Sequence, residues 1–83
     1  MPAALLPQQV RAGRALVDWS QSRLAEGARV SLSTVKDFEA GRREPIRASL
    51  FAIRSALEAA GVEFIPENGG GAGVRLKKGA PHG

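Results

Sequence analysis

Apolar residues recur at three- and four-residue steps through the first three quarters of the chain, then at every second residue near its end. The first spacing is that of helices with one buried face, and the second that of strands. Pro7 suits the first position of a helix, where its missing N–H has no partner to lose. From Gln8 to about Asp18, Val10, Leu16 and Val17 share one side, with Gln8, Arg11, Arg14 and Asp18 elsewhere around the wheel. Trp19, read as a core residue, is followed by Ser20, a good N-cap. The stretch Gln21–Gly27 predicts a short second helix, with Leu24, Ala25 and the following Ala28 facing inward. Gly27 to Val30 is a tight connection. Ser31 is a second cap candidate, opening a helix through about Ala40 with Val35 and Phe38 inward and Glu39 beside them. Gly41 suits the left-handed position that ends a helix. Arg42-Arg43-Glu44-Pro45 is a loop, because the residue before proline resists helix. A fourth helix is predicted from about Arg47 to Ala60, with Leu50, Ile53, Leu57 and Ala60 on one face. Phe51 lies beside that stripe, as an edge of the core or part of a partner surface. Gly61 closes the helix.

Beyond Gly61 the period shortens to two: Val62 and Phe64 flank Glu63, and Val74 and Leu76 flank Arg75. Between them Pro66 to Gly73 is rich in turn residues, so the two runs predict a β-hairpin. The predicted fold is mainly α: about four helices over residues 1–61, then a short C-terminal hairpin over 62–78 and a disordered tail over 79–83.

Composition narrows the chemistry. At 83 residues the chain forms one small domain. Twelve Lys and Arg against eight Asp and Glu give a net charge of +4, which admits an anionic partner without naming it. The absence of cysteine excludes disulfides, zinc ribbons and thiol catalysis. The single histidine, His82, lies in the tail and is expected to be inert. No Ser/His/Asp set and no paired carboxylates in a cleft are visible, so no enzyme, metal or cofactor is expected. The Gly69–Gly73 run lacks the Gly-Lys-Ser/Thr ending of a phosphate loop and reads as a hairpin connection. No apolar run reaches 18 residues and the first seven residues lack a basic stretch, so neither a membrane span nor a signal peptide is expected. These observations point to a cytoplasmic binding module.

Two short helices joined by a tight turn, the second opened by its own cap, make a helix-turn-helix. Packing of Leu24 and Ala25 against Val30, Val35 and Phe38 would leave the outer face of the second helix free to enter a major groove, which is wide enough to admit it. The runs Trp19-Ser20-Gln21-Ser22-Arg23-Leu24-Ala25 and Val30-Ser31-Leu32-Ser33-Thr34-Val35-Lys36-Asp37-Phe38-Glu39-Ala40-Gly41-Arg42-Arg43 resemble the lambda-repressor-like (Xre/Cro-type) helix-turn-helix regulators of bacteria and phages. The resemblance extends from about Leu6 to Leu57. Residues 56–69 are similar to a subgroup of short standalone regulators.

The resemblance implies a sequence-specific regulator of transcription that binds double-stranded DNA in the bacterial nucleoid. Ser20 and Gln21 match positions that hold a DNA phosphate, as do Arg42 and Arg43. Leu32, Ser33, Lys36 and Asp37 match the positions that read bases. Glu39 and Arg14 match a structural ion pair. The chain also departs from the pattern. Arg29 stands where the family turn usually has glycine, so the turn is either strained or differently shaped. Leu32 stands where a polar reader is common, and it could meet a thymine methyl. Asp37 would repel phosphate, although it could accept from a cytosine amino group.

One recognition helix covers few base pairs, so two copies on a palindromic operator are expected. The candidate homodimer interface is the hairpin, through Val62, Phe64, Val74 and Leu76, together with Phe51; the alternative is that the hairpin only caps its own domain. A competing class is a protein-interaction module, either an antitoxin bound to a cognate toxin or an anti-repressor bound to a full-length regulator.

Overall fold

The structure, a computed structural model, describes residues 4–78. The expected tail over 79–83, His82 included, lies outside the described residues. Four helices precede one hairpin: α1 Pro7–Leu16, α2 Gln21–Ala28, α3 Leu32–Glu39, α4 Arg47–Ala59, then β1 Val62–Ile65 and β2 Gly73–Leu76. α1 stops two residues short of its expected end, because Asp18 turns left-handed at φ 57°.

The helix starts follow from side-chain chemistry. Pro7 opens α1, while Gln9 reaches back so that its Oε1 accepts from the Leu6 N–H at 2.9 Å. Ser20 and Ser31 cap α2 and α3, their hydroxyls accepting from the N–H groups of Arg23 and Thr34 at 2.9 and 3.1 Å. A serine hydroxyl satisfies one of the amides that a helix start leaves without an internal partner. α4 follows Ile46, an N-cap residue whose side chain cannot cap.

The ends of α1, α2 and α3 share one device. A residue at positive φ follows each helix, at Asp18 (57°), Arg29 (58°) and Gly41 (74°). The next amide then bonds back to a carbonyl of the last turn: Trp19 to Arg14, Val30 to Ala25, and Arg42 to Asp37. These are Schellman turns. Glycine adopts the left-handed conformation without penalty, and aspartate tolerates it better than most residues. Arginine has neither advantage. The connection at Arg29 therefore has the ordinary shape of a helix C-cap and carries strain, which resolves the two alternatives left by the sequence.

The core is one cluster. Val10 and Val17 of the first segment, Leu24, Ala25 and Ala28 of α2, Val35 and Phe38 of α3, Ile53 and Leu57 of α4, and Val62 and Phe64 of β1 are all buried. Leu16 and Leu50, expected inward, are only half-buried, Leu50 against the cluster. Trp19, Val30, Val74 and Leu76 are half-buried against it. Gly13 is buried where α1 meets α4 and the hairpin: a Cβ there would lie 3.4 Å from both Leu57 and Val62, in ordinary contact.

The strands pair antiparallel, with Val62 opposite Leu76 and Phe64 opposite Val74, so the four apolar side chains share the inner face. Glu63 and Arg75 meet on the outer face at 2.9 Å. The buried Gln9 ties the hairpin to α1, its Nε2 donating to the carbonyls of Gly73 at 3.0 Å and Ile65 at 3.4 Å. A buried amide is tolerated when both of its ends are bonded, as here.

Candidate nucleic-acid interface

The position of α3 is set from both of its faces. On the inner face Val35 is fully buried and Phe38 is 2% exposed. Beside them Glu39, also buried, accepts both prongs of the Arg14 guanidinium, Nε to Oε2 and Nη2 to Oε1, each at 2.7 Å. The Gln21 amide donates to Oε1 as well, at 3.0 Å. Arg14 Nη1 donates to the carbonyl of Trp19 at 3.0 Å, and Arg11 donates to the carbonyl of Glu39 itself. One carboxylate therefore locks α1, α2 and α3 together. The hydrogen bond that Arg14 donates to Glu39 raises the Arg14 pKa above its ordinary value; burial opposes that rise, and the attraction between the two charges adds to it.

The opposite face of α3 is turned to solvent. Ser33 and Lys36 are exposed and Leu32 is 36% exposed. Asp37 is half-buried. Its Oδ1 accepts from Nη2 and Nε of Arg42 at 2.8 and 3.2 Å. The Schellman turn at Gly41 makes this possible, because it also bonds the Arg42 N–H to the Asp37 carbonyl at 2.9 Å. Asp37 and Arg42 were read from the sequence as a base reader and a phosphate grip acting separately; the structure brings them together as one ion pair.

Ser20 is exposed at the start of α2. Its hydroxyl is occupied by the cap, and the Gln21 side chain by Glu39. What α2 offers an anion is thus its first backbone amides, which point out of the helix with no internal acceptor. Past α3, Arg43 lines a groove of about 360 Å³ with Ser31, Ser33, Thr34, Asp37, Glu44, Pro45, Ile46 and Ser49. Ile46 stands 73% exposed on this rim.

The ion pairs sort the basic residues. Among the described residues Arg14, Arg23, Arg42, Arg54 and Arg75 each have an acidic partner. Arg11, Arg29, Lys36, Arg43, Arg47, Lys77 and Lys78 have none within ion-pair distance. Four of these seven, Arg29, Lys36, Arg43 and Arg47, lie in the turn before α3, on α3, in the loop after it and at the start of α4. More than half of the basic residues without an acidic partner are therefore on or next to α3 in the chain. The sequence reading passed over Arg29 and Arg47 as members of this group, although counting cations around α3 would have found both.

The five residues expected at a dimer interface do not form one exposed surface. Val62 and Phe64 are enclosed by their own chain, and Val74 and Leu76 pack against the same core. Phe51 is 71% exposed on the outer side of α4. Among the described residues no group of acidic and histidine side chains could hold a metal ion, and no helix is long and apolar enough to cross a membrane.

A family model described as helix-turn-helix matches residues 10–62, which span the four helices from early α1 onward and the first residue of β1. No curated protein matches the chain.

Proposed function

The chain belongs to the lambda-repressor-like (Xre/Cro-type) helix-turn-helix family of DNA-binding regulators, and on that footing we propose that it is a sequence-specific transcriptional regulator that binds a palindromic operator as a homodimer. The observation that carries this reading is the division of α3 into two faces. Val35, Phe38 and Glu39 are buried, while Leu32, Ser33 and Lys36 stand in solvent between unpaired cations. A major groove admits such a helix, and its base edges are read by side chains like these.

Phosphate contacts come from the start of α2 at Ser20 and Gln21 and from Arg42 and Arg43. They supply affinity and salt dependence. Base contacts come from Leu32, Ser33, Lys36 and Asp37, and they supply specificity. Two copies bound one helical turn apart, about 34–36 Å between half-sites, double the number of base pairs read. Val62 and Phe64 complete the core of the helices that precede residue 61. Pairing with Arg42 also removes the uncompensated negative charge of Asp37, which favours a duplex over a cationic protein surface as the occupant of this face.

The test is binding to a pool of randomised duplexes at two salt concentrations. The wild-type chain enriches a palindrome. Arg43→Ala weakens all duplexes alike and flattens the salt slope by about one unit, whereas Lys36→Ala relaxes one base position. Enrichment of no sequence would contradict the function, and uniform loss in both variants would remove Lys36 from the readers.

A further inference from the structure

We propose that Asp37 is a positioning residue, and that it holds Arg42 over the outer face of α3 to read a guanine in the major groove. The proposal rests on the DNA-binding reading above and changes the role of Arg42 from gripping the backbone to reading a base.

The two residues are joined twice. The Arg42 N–H donates to the Asp37 carbonyl at 2.9 Å, as the left-handed Gly41 (φ 74°) requires of a Schellman turn. The Arg42 side chain then returns along the helix, where Nη2 and Nε both donate to Asp37 Oδ1. A lone surface ion pair is a weak restraint. Here the backbone turn has already fixed the starting point of the side chain, so the carboxylate has only to select its direction.

The pattern of bonds decides what the guanidinium can still do. Nε and Nη2 form one edge of the planar group, and Asp37 occupies it. The other edge, formed by Nη1 and the second hydrogen of Nη2, has no partner among the described residues. Two parallel N–H groups on one edge match the two acceptors, N7 and O6, that guanine presents in the major groove. A carboxylate that fixes one edge thereby aims the other. Because the pair carries no net charge, it adds little attraction to phosphates; what it adds is preference for one base. Asp37 itself lines one groove with Ser33 and Arg43, at the face already proposed to meet the duplex.

The experiment compares the wild type, Arg42→Lys and Asp37→Asn on the randomised duplex pool, with salt slopes measured on the enriched sequence and on one unrelated duplex. Circular dichroism confirms that each variant is folded. Lysine keeps the charge but cannot present a two-pronged edge. Arg42→Lys should therefore lose preference for guanine at one position by about tenfold while keeping the salt slope. Asp37→Asn should weaken preference at that same position. It should also bind the unrelated duplex more tightly, with a slope steeper by about one unit, because the released Arg42 finds phosphates. An unchanged base profile in both variants would overturn the proposal. So would a uniform loss across sequences in Arg42→Lys, which would return Arg42 to the backbone, or a lost cytosine preference in Asp37→Asn alone, which would make Asp37 the reader. A wild-type chain that binds duplexes but enriches no sequence would overturn the proposal together with sequence-specific function. Enrichment by the wild type, followed by any of the first three results, would overturn the role of the pair alone.

Discussion

Arg14 on α1 holds Glu39 on α3 by two charge-assisted hydrogen bonds of 2.7 Å, with the carboxylate only 3% exposed. The pair is what fixes the angle of α3 against the first helix, and the Gln21 amide extends it to α2. Removing one member would leave the other charge buried. Arg14→Met should therefore cost about 3–5 kcal/mol, a large part of the stability of a domain this small. Replacing both residues together, as in Arg14→Met with Glu39→Leu, should cost less than the sum of the single changes. Urea denaturation of the three variants measures this. Additive losses would show that the two charges act independently.

A second prediction concerns strain. Arg29 sits at φ 58°, ψ 41° at the end of α2, and its side chain has no ion-pair partner among the described residues. Arg29→Gly should raise stability by roughly 0.5–1 kcal/mol, the relief of left-handed strain less the greater freedom of glycine in the unfolded chain. Arg29→Ala should bring no such gain, because alanine keeps the Cβ. Equal midpoints for the glycine and alanine variants in urea would show that the turn carries no strain.

These elements differ in how far they could be read from residues alone. Ser20, Ser31 and Gly41 are legible because a cap acts through its own side chain or its own φ. The inward turn of Val35 and Phe38 is legible because helical period is local. Asp18 is not, since a non-glycine residue does not by itself announce a left-handed conformation, and at Arg29 the departure from the family's glycine leaves strain as one of two alternatives. Nothing in the local sequence marks Gln9 for burial; its amide is bonded by a hairpin from 56 and 64 positions away. Asp37 and Arg42 are five residues apart, outside the three- and four-residue spacings at which helix neighbours meet. They come together only because Gly41 folds the chain back.

Self-association is tested at Phe51. Of the five residues expected at the interface it is the one left in solvent, since Val62 and Phe64 are enclosed and Val74 and Leu76 face the core. In the proposed dimer Phe51→Lys should shift sedimentation from dimer to monomer without lowering the melting temperature of the domain. Affinity for a palindrome should fall toward that for a half-site. A variant that stays dimeric would place the interface elsewhere, with the strand edges of the hairpin as the next candidate.

The hairpin should show a weak acid sensitivity. The hydrogen bond from Arg75, aided by its charge, holds Glu63 below the usual carboxylate range, and the same contact raises Arg75. A group whose pKa is lowered on folding contributes stability above its unfolded pKa, and that contribution is lost as pH falls through the folded one. Glu63→Gln should therefore melt slightly below the wild type at neutral pH and level with it in acid. The pair is exposed, so high salt should also erase the difference. A gap that persists in acid would assign the effect of Glu63 to something other than its charge.

The central claim is that the outer face of α3 meets the duplex. The chain contains no cysteine, so Ser33→Cys provides a single site for a bulky maleimide, and Glu67→Cys in the hairpin loop provides the control. Anisotropy titration of the enriched duplex should show binding abolished by the label at position 33 and unaffected by the label at position 67. Wild-type affinity with position 33 fully labelled would mean that this face of the helix does not enter the groove.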